Sequence, residues 1–395
     1  MTLTFAAVDS ARVRAARLDA LHLRPDVAGG AQDLTSAVAH LLAVQGQELQ
    51  PALWGLSRRV APSPGATSSP GRTEANALLA AGEVLRTHVL RPTWHLLRPD
   101  DARWLVRLTG ERVARLVAST ERSWGMGDLG PGVDAVAAEV ADGPRTRAEL
   151  KEALVARGLL AADAPGVVFT HVLIRAEIGR LVISGPPTEG RPTQHQTYAA
   201  FDDRVPSGYG PLGERYDAQE AVLELWRRYL PARAFATVND LRLWSDITVS
   251  ALRRGLAVLE DAGEVVRLPG AGDLEGLELV ATRETAERWS GAGIPVPSRA
   301  GPVVDLLQAY DELLLSYRET RHVVLDPALP LPDRTGSFVH TVLVDGVVAG
   351  RWRWPAGRAV DAEHPVEVQW MRDPTPAERA ALDEQSAELG AYLAR

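Results

Sequence analysis

Apolar residues recur at helical spacing in three successive stretches, and each stretch runs into short segments that alternate like strands. In the first, residues 10–21, 33–44 and 73–85 read as helices, with Asp33 and Arg72 or Thr73 placed near two of the starts. Residues 61–72, rich in Pro, Gly and Ser, read as a loop. Two short strands, 87–90 and 93–97, follow around Arg91-Pro92. Helices leading into a hairpin predict a winged helix, which helices over 100–108 and 110–122 would extend. The pattern repeats with helices at 133–140, 146–157 and 167–180, then strands at 181–184 and 197–201 joined by a loop over 186–192. Thr146-Arg-Ala-Glu149 has the form of a capping box. A third pass gives a helix over 218–229, another opened by Thr237-Val-Asn-Asp240, one over 249–261 in the recognition-helix position, and strands at 264–268 and 277–282.

After Gly291 the pattern changes. A linker over 294–302 precedes a mixed segment, 303–325, in which apolar residues surround Asp305, Asp311 and Glu312. Residues 339–354 predict a hairpin turning at Asp345-Gly346, 366–371 a strand and 376–393 a closing amphipathic helix. The predicted fold class is therefore α+β, mostly α: three tandem winged-helix units over 1–126, 127–210 and 211–293, followed by a hairpin, strand and helix region over 294–395.

Composition narrows the chemistry. A chain of 395 residues with 46% hydrophobic content suits two or three compact units. It has no apolar run of membrane-spanning length and no signal-peptide core, so a cytoplasmic protein is expected. The absence of Cys excludes disulfides, Cys-ligated zinc and Cys-ligated iron–sulfur clusters. The nine His form no HExxH, and neither a phosphate-binding loop nor GxSxG is present, so no metal or cofactor is expected. Gly208-Tyr-Gly-Pro-Leu-Gly213 satisfies GxGxxG by letter, but no strand leads into it and a loop is the simpler reading. The net charge of −8 argues against a wholly basic surface, yet residues 86–122 hold eight Arg against four acids. Lys151 is the only lysine.

The apolar run Leu34, Val38, Leu41, Leu42 ends at Gln45-Gly46-Gln47, and a second set, Leu53, Trp54, Leu56, follows at once. Gly46 is expected to cap the first helix and to leave both amides displayed at its end. Each amide offers a donor and an acceptor without ionising. On spacing alone, a pair of solvated turn residues is the simpler reading. Glu48 reads either as a carboxylate assisting the amides or as a solvated first-turn acid favoured by the next helix's dipole. Asp311-Glu312 reads first as a solvated or capping pair.

Residues 42–59, Arg91-Pro-Thr-Trp-His95, Tyr310-Asp-Glu-Leu-Leu-Leu315, Val342-Leu-Val-Asp-Gly346 and Gly350-Arg-Trp352 together resemble the winged helix DNA-binding family that includes the AlkZ and YcaQ DNA glycosylases. The resemblance runs from about residue 11 to about residue 354, with its blocks in family order. It implies that Gln45 and Gln47 form the catalytic QxQ element, with Glu48 as a possible assistant, and that the hairpin over 87–97 contacts DNA. Arg86, Arg91, His95 and Arg98 would then supply donors to phosphates or a groove, whereas Trp94 is expected in the core. The family's middle residue is usually aliphatic; here it is Gly46.

The activity the resemblance implies is a DNA glycosylase that excises bulky or crosslinking N-alkylpurine adducts by water attack; a strand-cleaving Schiff base needs a lysine amine, so unless Lys151 serves it is expected to be monofunctional. Its partner would be double-stranded DNA carrying alkylated purines, met by a monomer on the bacterial nucleoid. The competing reading is a non-catalytic tandem winged-helix DNA-binding protein or transcriptional regulator; a protein or small-molecule binder is a third. A regulator should present basic recognition helices, and 167–180 is mostly apolar with only His171, Arg175 and Arg180.

Overall fold

The computed structural model describes residues 5–24, 29–61, 69–188, 196–291, 301–329, 338–361 and 363–395. The predicted loops over 61–72 and 186–192 and the linker over 294–302 lie partly outside these residues.

Twice the chain runs helix, strand, two helices, then two strands, and a third pass follows the same order without its first strand. The first pass comprises helix Leu34–Leu41, β1 (Ala43–Gln45), helices Leu49–Ser57 and Arg72–Ala81, β2 (Leu85–His88) and β3 (Trp94–Leu97), with sheet order β1-β3-β2. The second comprises helix Gly130–Val140, β4 (Arg145–Thr146), helices Arg147–Ala156 and Gly166–Ile178, β5 (Val182–Pro187) and β6 (Gln196–Ala200), ordered β4-β6-β5. In the third, helices Ala218–Arg233, Val238–Ser245 and Val249–Asp261 precede β7 (Val265–Pro269) and β8 (Glu278–Thr282), and a single bridge from Ala236 to Val280 stands where the first strand would be. The starts are written locally. Asp33, Thr146, Asp217, Thr237 and Thr248 each accept a backbone N–H of the helix they open, and the boxes at Thr146/Glu149 and Thr237/Asp240 are closed reciprocally.

Two local expectations fail for packing reasons. The helix expected to reach residue 44 ends at Leu41, because Leu42 turns the chain with φ 66° into β1. Gly46 is therefore not a helix cap; its N–H donates to the Trp94 carbonyl at 2.8 Å and continues the β1–β3 ladder. The helices expected at 100–108 and 110–122 are one helix, Pro99–Ser123, opened by Pro99 at its first position. Gly110 sits inside it where a Cβ would lie 3.1 Å from the Ile178 carbonyl oxygen, so the glycine permits close approach instead of a break.

The middle pass has its own core, including Val136, Leu150, Leu154, Phe169, Leu173 and Tyr198. The other parts interlock. A sheet ordered β12-β11-β10-β9, from Val368–Trp370, Val347–Arg353, Phe338–Val344 and Val304–Leu307, shares a core with the first pass. Trp54 shows the join: its indole N–H donates to the Leu306 carbonyl at 3.2 Å, and its ring meets Tyr392 of the closing helix Pro376–Ala394 at 5.3 Å. The β10–β11 hairpin turns at Asp345-Gly346 with φ 50° and 80°, the left-handed pair that a two-residue hairpin needs.

Candidate active site

β1 pairs with β3 along one edge, Gln45 opposite His95. Its other edge would be an open strand edge. Side chains from far along the chain fill it: the Gln45 N–H donates to Glu312 Oε1 at 3.3 Å, and Gln308 Nε2 donates to the Gln45 carbonyl at 3.4 Å. Glu312 is 1% exposed, and its Oε2 accepts from Arg233 (2.9 Å), Trp244 Nε1 (2.7 Å) and Ser316 Oγ (2.7 Å). Arg233 in turn donates to the Leu41 carbonyl at 2.8 Å, so one buried ion pair grips the chain before and within β1. Burial alone would raise the Glu312 carboxyl; Arg233, Ser316 and Arg91 outweigh it and hold the group below its ordinary value. Asp311 caps the short helix Glu312–Leu315 as expected of a capping acid, but it is also buried and takes two hydrogen bonds from Arg59 NH2. The solvated reading of this acidic pair is thus corrected.

The two amides emerge from this frame differently. Gln45 is buried, and its Oε1 accepts from Arg91 at 2.8 Å. Gln47 is exposed, and its Oε1 accepts a long bond, 3.4 Å, from the Trp94 N–H. Arg86 lies half-buried behind the motif, donating to the carbonyls of Gly46 (2.9 Å) and Gln47 (3.3 Å) and to Gln196 Oε1 (2.9 Å), with its guanidinium 4.3 Å from the Trp94 ring centroid. Burial lowers this guanidinium to about 10. Trp94 is half-buried, its indole N–H reaching Glu177 Oε1 at 3.4 Å. Glu48 stands at the cap position of helix Leu49–Ser57 without capping it, and its carboxylate lies 3.4 Å from His340 Nε2. The Ala309 N–H donates to His340 Nδ1 at 3.0 Å, so the neutral ring carries its proton on Nε2, facing Glu48.

The four hairpin donors do not form one outward row. Arg86 and Arg91 are engaged with the Gln motif. His95 is 0% exposed, its Nδ1 beside the Thr93 carbonyl, and burial followed by the Arg91 charge pushes it well below an ordinary histidine. It has no surface to offer a phosphate, which corrects its expected role as a DNA contact. Arg98 stands at the start of helix Pro99–Ser123 and lines a cavity with Asp33, Asp100, Asp101 and Arg228, apart from the amides. Gln308, Arg233 and His340 carry no motif of their own, and nothing in the sequence marks them as neighbours of the Gln pair.

Helix Gly166–Ile178, in the recognition-helix position of the second pass, packs Ile174 and Ile178 against Val113 and Val117 of the long helix. Its Arg175 and His171 are tied to Glu121, and its Glu177 is buried against His88. It is a packing element, as its apolar composition implied.

Comparison with known proteins agrees with this architecture. No curated protein matches the chain significantly. Among solved structures, the Streptomyces sahachiroi DNA glycosylase AlkZ is similar with a TM-score of 0.71 over 98% of each chain at 22% identity, a likeness of fold. The family described as DNA glycosylase AlkZ-like matches residues 38–392, nearly the whole sequence. With three winged passes and a Gln-Gly-Gln strand gripped from the C-terminal region, the chain belongs to the AlkZ-like DNA glycosylase family.

Proposed function

We propose that this DNA glycosylase excises bulky or crosslinking N-alkylpurine adducts from duplex DNA, as a monofunctional enzyme that uses water as the nucleophile. The observation that supports this best is the amide pair itself: Gln45 held at its oxygen by Arg91, and Gln47 at the surface two residues on, followed in the chain by Glu48, whose carboxylate lies 3.4 Å from His340 Nε2. An N-alkylated purine is cationic and already a good leaving group. The protein then has to place a water and favour the positive charge developing on the sugar, which neutral amides and one carboxylate can do without a strong base. Lys151 lies on helix Arg147–Ala156, whose Leu150 and Leu154 enter the separate core of the middle pass, which supports a reaction without a Schiff base. The enzyme would work as a monomer in the bacterial cytoplasm, on the nucleoid.

The test is base release from a duplex carrying an N7-alkylguanine, wild type against the Gln45→Ala/Gln47→Ala double variant at matched DNA occupancy. Release by wild type alone, leaving an abasic site that breaks only in alkali, is the expected result. Equal release by both proteins removes the chemistry from the Gln pair, and strand breakage without alkali removes the monofunctional assignment. No release from this duplex or from a crosslinked one contradicts the substrate class.

A further inference from the structure

Gln45 and Gln47 bear the same side chain two residues apart, and each accepts at Oε1, but the first is buried and held by a short charged bond while the second is exposed and held by a long neutral one. A guanidinium can only donate, so the 2.8 Å bond from Arg91 fixes which end of the Gln45 amide is which. Turning the amide over would set its NH2 against the Arg91 N–H groups and lose a charge-assisted bond. Arg91 is half-buried; burial lowers its guanidinium, Glu312 favours its charge and Arg321 opposes it. The Gln45 Nε2 makes no hydrogen bond among the described residues and is not sealed from solvent, so it is the end of the amide left for a substrate. Gln47 differs. Arg86 fixes its backbone carbonyl, whereas its exposed side chain makes one long bond at Oε1 and keeps a lone pair there.

We infer that the two amides divide the reaction: Gln45, oriented by Arg91, donates a hydrogen bond to the departing purine, and Gln47 accepts one from the attacking water. Arg91 is then a positioning residue instead of a phosphate contact. This rests on the glycosylase mechanism proposed above. In the step itself, the water oxygen bonds to C1′ and the C1′–N9 bond breaks. Its electron pair neutralises the cationic purine, and the water's proton passes to the Glu48 carboxylate and on to solvent. Electron density rises on the purine's ring nitrogens only as that bond breaks, so a donor placed there stabilises the transition state more than the bound substrate. The positive charge on Arg91 polarises the Gln45 amide and strengthens its N–H as a donor.

Carboxylate isosteres separate the two roles, because Glu keeps an acceptor oxygen and loses the NH2. Under saturating single-turnover conditions on the N7-alkylguanine duplex, Gln45→Glu should slow base release by about 100-fold or more, whereas Gln47→Glu should stay within about tenfold of wild type. The reverse order overturns the assignment, as does equal loss in both. Arg91→Met should slow release while leaving the salt dependence of duplex binding unchanged; a slope reduced by about one would instead make Arg91 a phosphate contact. A readout without substrate keeps the two hypotheses apart. In glutamine-labelled protein, the Gln45 side-chain amide signals should move on Arg91→Met and those of Gln47 should not. Unmoved Gln45 signals sink the oriented-donor reading whether or not the wild type releases base, and a wild type that releases none contradicts the proposed substrate alone.

Discussion

β1 and β4 hold the same place in the same sheet order, each paired with the last strand of its own pass and open on the other edge. In β4 the strand is two half-buried residues. Thr146 pairs with Thr197 and at once caps helix Arg147–Ala156 with Glu149, and the Arg145 guanidinium reaches only the neighbouring Gly143 and Pro144 carbonyls among the described residues. In β1 the open edge is closed by Gln308 and Glu312, more than 250 residues away in sequence. One topology therefore yields a self-contained structural turn in one place and the strand that carries the candidate site in another. The difference lies in what covers the edge, which is a specific instance of function being grafted onto a common fold.

Glu312→Ala should test that contrast most severely. It leaves Arg233, 0% exposed, without its counter-charge. A buried charge stripped of its partner costs about 3–5 kcal/mol, readable as a lower urea midpoint. The matching edge change in the middle pass, Arg145→Ala, should stay within about 0.5 kcal/mol. Equal effects would remove the distinction between the two strands.

Acid should strike next, in the first pass and the segment just before it. His22 is lowered from 6.5 to about 4 by burial, then by His40 and Arg59, and its ring stacks on His40 at 4.1 Å. His40 and His95 are also lowered, chiefly by burial. Because the folded protein resists protonating them, their contribution to stability is complete above the ordinary value of 6.5 and is lost as pH falls from there toward 4. Denaturant midpoints measured at intervals over that window should decline, and a flat profile would contradict the buried placement of these rings. Thr146→Ala comes third, at about 1 kcal/mol for a lost cap, with base release unchanged. Gly46→Ala should be of similar size. Its Cβ would lie 3.1 Å from Cγ of the buried Leu96, which has to shift slightly, so about 1 kcal/mol is expected in the same urea experiment.

The elements that were legible in the sequence are those specified within a few residues. Thr146/Glu149 and Thr237/Asp240 announce helix starts, Asp345-Gly346 announces a hairpin, and the repeated grammar of helices then strands announces three winged passes. β1 was not legible, because three residues are too few to show a period of two and Leu42 takes a left-handed turn that nothing in a leucine advertises. Gly110 looked like a break for want of its neighbour, Ile178. At the candidate site, the letters Gln45 and Gln47 were visible and their partners were not. An acid such as Glu312 beside Asp311 reads as solvated until Arg233, Trp244 and Ser316 close around it, and those contacts exist only in three dimensions.

The Glu312 carboxylate also has a meaning in time. A ribosome makes the Gln pair well before the groups that meet at this carboxylate, which are added at positions 233, 244, 312 and 316. A partly synthesised chain thus holds the motif without the clamp that sets its strand. Such an enzyme acquires its grip on the Gln-bearing strand only after Glu312 and Ser316 have been translated, and a chain cut short before that point carries the letters of a glycosylase without its geometry.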